Sequence, residues 1–281
     1  MKQRKITEHL LKEFETYLLE SEKSRATIEK YMRDVRCFQR FVGNVKLEKG
    51  IVLQYKAFLE QRYARTSANS MLAALHTFFS FADWRELCVR QFRVQKKVYS
   101  PENEEITKEE YFRLVQTATE KNNDRLAMIL QTICGTGIRV SELSYITIEN
   151  VRKGEVRVAC KAKERVVFIV PLLRDKLLDY ARRNGVNQGC IFKTRSGQPV
   201  NRSNVWREMK ELCLSADVLP DKVYPHNLRH LFARTFYGLE KDIAKLADVL
   251  GHSSINTTRI YIVTTGEEHR RCMEKMRLVV E

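Results

Sequence analysis

The sequence has no cysteine pairs of the kind that hold a metal or frame a disulfide scaffold. Its seven cysteines (Cys37, Cys88, Cys134, Cys160, Cys190, Cys213 and Cys272) are scattered, odd in number and free of any CxxC spacing. That pattern excludes a zinc site or a secreted disulfide framework and leaves reduced, mostly buried thiols as the expectation. Long apolar runs are missing too. The longest, Val166 to Leu173 counting its proline, is far too short to span a bilayer. The N-terminal MKQRKITEHLLKEF starts basic but has neither an apolar core segment nor a small-residue cleavage site. Internal repeats, low-complexity tracts and a Walker phosphate loop are absent from the sequence as well. These absences lead to the expectation of a soluble cytoplasmic protein without a membrane partner or a nucleotide cofactor.

What is present is globular. The chain has 281 residues, 43% hydrophobic and 30% charged, enough for one large domain or two ordinary ones. Its formal net charge is +15, split unevenly as +9 over residues 1–100 and +6 over the rest. A polyanion, nucleic acid above all, is the natural partner, because each neutralised phosphate releases condensed counterions.

The first hundred residues read as helices. Leu10, Leu11, Phe14 and Leu18 form a helical stripe. Ser24 can cap a second helix in which Ile28, Met32, Val35, Phe38 and Val42 share a face. Arg33, Arg36 and Arg40 fall largely off that stripe, as a solvated face or a phosphate-facing one. Further helices are expected through 52–63 and through Met71, Leu75, Phe78 and Phe81, which completes a small bundle. The segment 93–105 is polar, contains Pro101 and lacks periodicity, so it reads as a linker. The division is therefore 1–92, linker 93–105, and 106–281 with a C-terminal tail 266–281. Thr107 and Glu110 form a capping-box pattern that opens a helix over 108–120, followed by one over 124–134. EVRVACK and ERVVFIV read as two valine-rich strands around a tight charged turn. Helices return at 172–183, 202–216, 225–237 and 241–250. The fold class is mainly α with a small β-sheet (α+β).

Three stretches carry chemistry. In CGTGIRVSELSYI, Gly135 and Gly137 break one helix, and Arg139 opens the next with Glu142 three residues on. In YPHNLRHLFARTF, Pro225 suits a first helical turn, and His226, Arg229 and His230 share a face. A phosphate fits that face better than a metal does: arginine binds phosphate as a fork, and no carboxylate stands nearby. In LGHSSINTTRIYI, Gly251 ends a helix, His252 follows at the turn, and Thr257 or Thr258 can cap a short helix carrying Tyr261.

Together GTGIRVSEL, HNLRHLFA and LGHSSINTTRIY, in this order and spacing, resemble the tyrosine recombinase (phage integrase) family and its compact Xer-like members. The resemblance covers nearly the whole chain. It implies a helical-bundle, SAM-like core-binding domain and a catalytic domain that together clamp duplex DNA, with four subunits acting on two duplexes. Residue by residue, it implies that Arg139 and Arg229 grip one scissile phosphate and that His252 donates a further hydrogen bond. Tyr261 then attacks phosphorus with His226 as proton acceptor, and the turn lysine Lys161 protonates the leaving 5′-oxygen. Glu142 and His230 orient this set. The turn here, ACKAKER, is one residue tighter than the family's usual form, which leaves Lys163 as the alternative acid. The resemblance implies no metal and no cofactor, and makes Arg33, Arg36, Arg40 and Lys163 DNA-binding candidates. The chain shows no additional arm-binding domain, so simple, Xer-like sites are expected. Cys272, Met276 and Val279 or Val280 give the tail a short apolar face, to dock on a neighbouring subunit or on its own domain. Chromosome-dimer resolution, phage or transposon integration and cassette exchange all remain open. So do two other readings: a topoisomerase of type IB that nicks and closes one strand, and a silent DNA-binding regulator.

Overall fold

A computed structural model describes residues 4–43, 45–94, 105–160, 163–252, 254–262, 270 and 273–276. The chain divides into two compact units, Met1–Lys96 and Lys97–Glu281. Most of the expected linker 93–105 lies outside the described residues.

The first unit contains α1 (Glu8–Glu20), α2 (Arg25–Val42), α3 (Lys49–Arg62) and α4 (Arg65–Phe81), then a 3-10 turn, Arg85–Leu87. Helices start where a side chain can accept from an otherwise unpaired first-turn amide. Thr7 does this for Leu10 at the start of α1, and Ser24 for Thr27 at the start of α2. The α2 stripe Ile28, Met32, Val35, Phe38 and Val42 is buried as its spacing requires. It meets an aromatic core in which Phe38 lies 4.9 Å from Tyr55 and Phe14 meets Phe78 edge-on at 5.1 Å. Truncating such a ring to alanine typically costs about 3–5 kcal/mol. Arg33, Arg36 and Arg40 are exposed. Only long contacts tether the first two, 3.8 Å from Arg33 to Asp34 and 3.7 Å from Arg36 to Glu8.

The second unit runs α5 (Lys108–Glu120), α6 (Asp124–Thr136), a 3-10 helix (Val140–Tyr145), α7 (Ile148–Lys153), β1 (Glu155–Cys160), β2 (Lys163–Phe168) and α8 (Pro171–Arg183). It continues with α9 (Arg202–Cys213), α10 (Pro225–Glu240), α11 (Ile243–Leu250), α12 (Ile255–Arg259) and a last 3-10 turn, Ile260–Ile262. The capping box at Thr107 and Glu110 is formed in both directions. The two strands pair antiparallel, from Glu155 opposite Phe168 to Cys160 opposite Lys163. Alternation along β2 puts Arg165, Val167 and Ile169 inside, against a core that includes Val156 and Val158.

The structure corrects four local expectations. Gly135 does not break a helix; it lies inside α6, and Gly137 alone ends that helix with a left-handed φ of +65°. Arg139 leads into a 3-10 segment rather than an α-helix. Helix α9 stops at Cys213 instead of residue 216. Ser254, rather than Thr257 or Thr258, caps the helix before Tyr261, and Tyr261 sits in the 3-10 turn beyond it. Helix α7, closed by Thr147 and Gly154, was not foreseen.

Among the described residues no helix is long and apolar enough to cross a membrane. Nor does any cluster of His, Cys, Asp or Glu among them suit a metal ion.

Candidate active site

The site is built around one peptide carbonyl. Helix α11 ends at Leu250, and Gly251 turns the chain with φ +64°. The freed Leu250 carbonyl accepts from Arg229 Nη2 at 2.7 Å and from Arg165 Nη1 at 2.9 Å. Helix C-termini concentrate partial negative charge on such carbonyls, so two guanidinium groups are held there without a second carboxylate.

Arg229 projects from the first half of α10 and is 1% exposed. Its Nη1 donates to the Gly137 carbonyl at 2.5 Å, and its Nη2 meets His252 Nε2 at 3.2 Å. Its Nε is buried without a hydrogen-bond partner among the described residues. Burial, then the charge of Arg139, lowers the Arg229 pKa to about 10, opposed by the Tyr261 hydroxyl against the guanidinium. It stays cationic at neutral pH. A buried arginine with an unused donor suits an arriving anion.

Arg139 follows the Gly137 turn. Glu142 accepts from its amide at 2.9 Å and from its Nη1 at 2.9 Å. The same carboxylate accepts from Arg165 Nη2. Burial alone would raise the Glu142 pKa, but the Arg139 amide and the two arginines hold it below the ordinary carboxylate value. Glu142 therefore remains an anion and fixes Arg139, which keeps 31% of its side chain exposed toward solvent.

His252 has a defined tautomer. Arginine can only donate, so Nε2 facing Arg229 is the acceptor and Nδ1 carries the proton. Nδ1 then donates to Thr258 Oγ1 at 2.9 Å. Burial, then Arg229 and Arg139, lowers the His252 pKa to about 4. His230 is lowered to about 4 by burial and by His226. His226 is lowered in the same direction, first by loss of water around the ring and then by Arg229, although one side remains exposed.

Tyr261 closes the arrangement at 4% exposure. Its ring stacks on His252 at 5.3 Å and 14°, meets His230 edge-on at 4.4 Å and meets His226 at 5.7 Å. Ala233, Leu246 and Leu250 form its apolar bed.

Arg139, Glu142, His226, Arg229, His230, His252 and Tyr261 are thus brought together within one unit. Lys161 lies outside the described residues. Lys163 is the first residue of β2, opposite Cys160, and its side chain is also outside them. Arg33, Arg36 and Arg40 belong to the other unit. Of the tail, Arg270 and Met273–Met276 are described as helical, while Cys272, Val279 and Val280 are not among the described residues.

Sequence reasoning missed Arg165 and Thr258. The signal for Arg165 was the strand alternation, which puts an arginine on the same inner face as Val167 and Ile169. Thr258 read as a candidate helix cap, and its bond to the His252 ring gave no sequence signal.

Comparison with known proteins supplies the family. The Phage integrase family matches residues 104–268, and the Phage integrase, N-terminal SAM-like domain matches residues 11–86. Tyrosine recombinase XerA of Pyrococcus furiosus is 30% identical over 99% of this chain and 98% of that protein. A crystal structure of XerA recombinase, 25% identical, superposes with a TM-score of 0.55 over 98% of this chain and 100% of the other. A lambda integrase tetramer bound to a Holliday junction, 17% identical, shares the fold at a TM-score of 0.73 over 92% of this chain and 78% of the other. With a family match over most of the second unit and a full-length relative at this identity, the chain belongs to the phage integrase family of tyrosine recombinases.

Proposed function

We propose that the chain is a site-specific DNA recombinase that cuts and rejoins duplex DNA through a 3′-phosphotyrosine link and a Holliday junction. The observation that carries this reading is the burial of Tyr261 against His226, His230 and His252, with its hydroxyl interacting with Arg229, in its own subunit.

Arg139 and Arg229 grip the non-bridging oxygens of the scissile phosphate, where negative charge grows in the transition state. The Tyr261 oxygen attacks phosphorus, forming the P–O bond to tyrosine as the P–O5′ bond breaks. The phenolic proton passes to His226, whose lowered pKa keeps it a free base at neutral pH. The leaving 5′-oxygen takes a proton from Lys161. Lys163 pairs with Cys160 inside the ladder, which supports Lys161 rather than Lys163 as the acid. His252 adds a hydrogen bond to the phosphate, and Glu142 and His230 orient the set. Energy of the cut bond is kept in the phosphotyrosine, so resealing needs no nucleotide.

Arg33, Arg36 and Arg40, exposed on α2, contact DNA phosphates. Lys163 is a further contact at the hairpin. The working assembly is a tetramer on two duplexes in the cytoplasm, at the nucleoid. Exposed Met273 and Met276 favour a tail that docks on a neighbouring subunit.

The test is a nicked suicide substrate carrying a candidate recombination site. The wild-type chain should give a protein–DNA adduct stable to denaturant, and Tyr261→Phe should abolish the adduct while retaining binding. An adduct that persists in Tyr261→Phe sinks the reading.

A further inference from the structure

Arg165 is an odd residue for the inner face of a strand. It stands opposite Val158 in the ladder and is 9% exposed, among valines and isoleucines. Its planar fork spans two separate elements, donating to the Glu142 carboxylate with Nη2 and to the Leu250 carbonyl with Nη1. Glu142 in turn holds Arg139, and the Leu250 carbonyl is shared with Arg229, two residues before His252. The backbone makes room for this side chain. A Cβ on Gly251 would stand 2.3 Å from Arg165 Cδ and 3.1 Å from Nε.

We propose that Arg165 is a positioning residue that sets the spacing between the two halves of the phosphate cradle, the Arg139 half through Glu142 and the Arg229–His252 half through the Leu250 carbonyl. The proposal rests on the assignment of that cradle given above. Stability alone is a weak reason for the arrangement, since a buried ion pair is often no better than apolar residues of similar volume. A rigid fork bonded to two elements gives what an apolar side chain does not: a fixed distance between them. The demand on that distance is high, because misplacing a reacting group by an ångström can cost about 10²-fold in rate.

The full-length chain is assayed on the suicide substrate at saturating DNA. Arg165→Met should slow adduct formation by about 10²-fold while leaving DNA affinity within about twofold, since phosphate contacts elsewhere set affinity. On a substrate whose scissile phosphate is a neutral methylphosphonate, the gap should shrink to below about tenfold, because the cradle has less charge to stabilise there. Arg165→Lys keeps the charge but can serve only one of the two acceptors, and should fall between. Melting curves accompany each variant. Where Arg165→Met fails to fold, Arg165→Gln, which leaves Glu142 on Arg139 and can serve only one of the two acceptors, takes its place with the same expectations. Equal loss on the charged and neutral substrates, or Arg165→Lys at the wild-type rate, overturns the proposal. A wild-type adduct at Tyr261 together with an unimpaired Arg165→Met refutes this inference alone. An adduct that survives Tyr261→Phe refutes the underlying assignment instead.

Discussion

Replacing Gly137 with alanine should damage both stability and chemistry, and the structure sets the size of the effect. Gly137 has φ +65° and closes α6 in the left-handed region. An alanine there costs about 1–2 kcal/mol in backbone strain. Its Cβ would also fall 2.5 Å from Phe232 Cδ1 and 2.6 Å from Cε1. The ring must retreat by about 1 Å to restore ordinary contact. Phe232 borders an apolar cavity of about 330 Å³ with Phe112, Cys134 and Phe236, so it has somewhere to go. That limits the overpacking cost to the low end of the usual range, about 1 kcal/mol. The sum, roughly 2–3 kcal/mol, lowers the melting temperature of a unit this size by about 4–12 °C. Chemistry suffers as well, because the Gly137 carbonyl accepts from Arg229. Differential scanning calorimetry gives the first quantity, and suicide-substrate kinetics at a temperature where the variant is folded gives the second. The double variant Gly137→Ala/Phe232→Leu keeps the backbone strain and removes most of the clash, so it should recover roughly a third to a half of the lost stability. A Gly137→Ala chain that melts within about 1–2 °C of the parent would refute the reasoning.

Acid should destabilise the free protein below pH 6.5. His230 and His252 have folded pKa values of about 4 and His226 is also lowered, so the unfolded chain binds more protons between pH 6.5 and 4. Stability is then full above pH 6.5 and falls with pH through that window, by about 1 kcal/mol for each of His230 and His252 at pH 5 after allowance for solvent screening. Urea unfolding at pH 7 and pH 5 measures it, and the double variant His230→Gln/His252→Gln should show a smaller drop. DNA binding should take up a proton near pH 7, because His252 Nε2 is an acceptor in the free protein and must donate to a phosphate. Calorimetric binding enthalpies in buffers of different ionisation heat should diverge for the wild type and converge for His252→Gln. Heats that do not depend on buffer would mean that Thr258 and His252 simply exchange donor and acceptor roles.

Much of this is legible in the sequence, for reasons that differ by element. The long helices announced themselves because their buried stripes repeat with the helical period and their caps are local: Ser24 and Thr107 act within three residues of themselves. Arg139, Arg229, His252 and Tyr261 were legible only as a set, since no local rule distinguishes one of eleven tyrosines. What failed was short or long-range. Ser254 and Thr258 both offer a hydroxyl near the start of α12, and only tertiary packing shows that one caps while the other serves His252. Gly135 looked like a breaker because glycine is costly in helices; it is accepted in α6, where a Cβ would meet Leu173 at 3.3 Å. Arg165 was hidden because its partners, Glu142 and Leu250, come from far along the chain.

Leu250 has a consequence for how the enzyme would look to a mutagenesis survey. What anchors Arg229 and Arg165 there is main-chain oxygen, which every amino acid possesses. Scanning with alanine would record position 250 as a loss of greasy contact and nothing more, and its electrostatic duty would go unnoticed. Only changes that move the peptide plane, such as a bulkier neighbour at Gly251 or an ester-for-amide swap by chemical synthesis, can expose it.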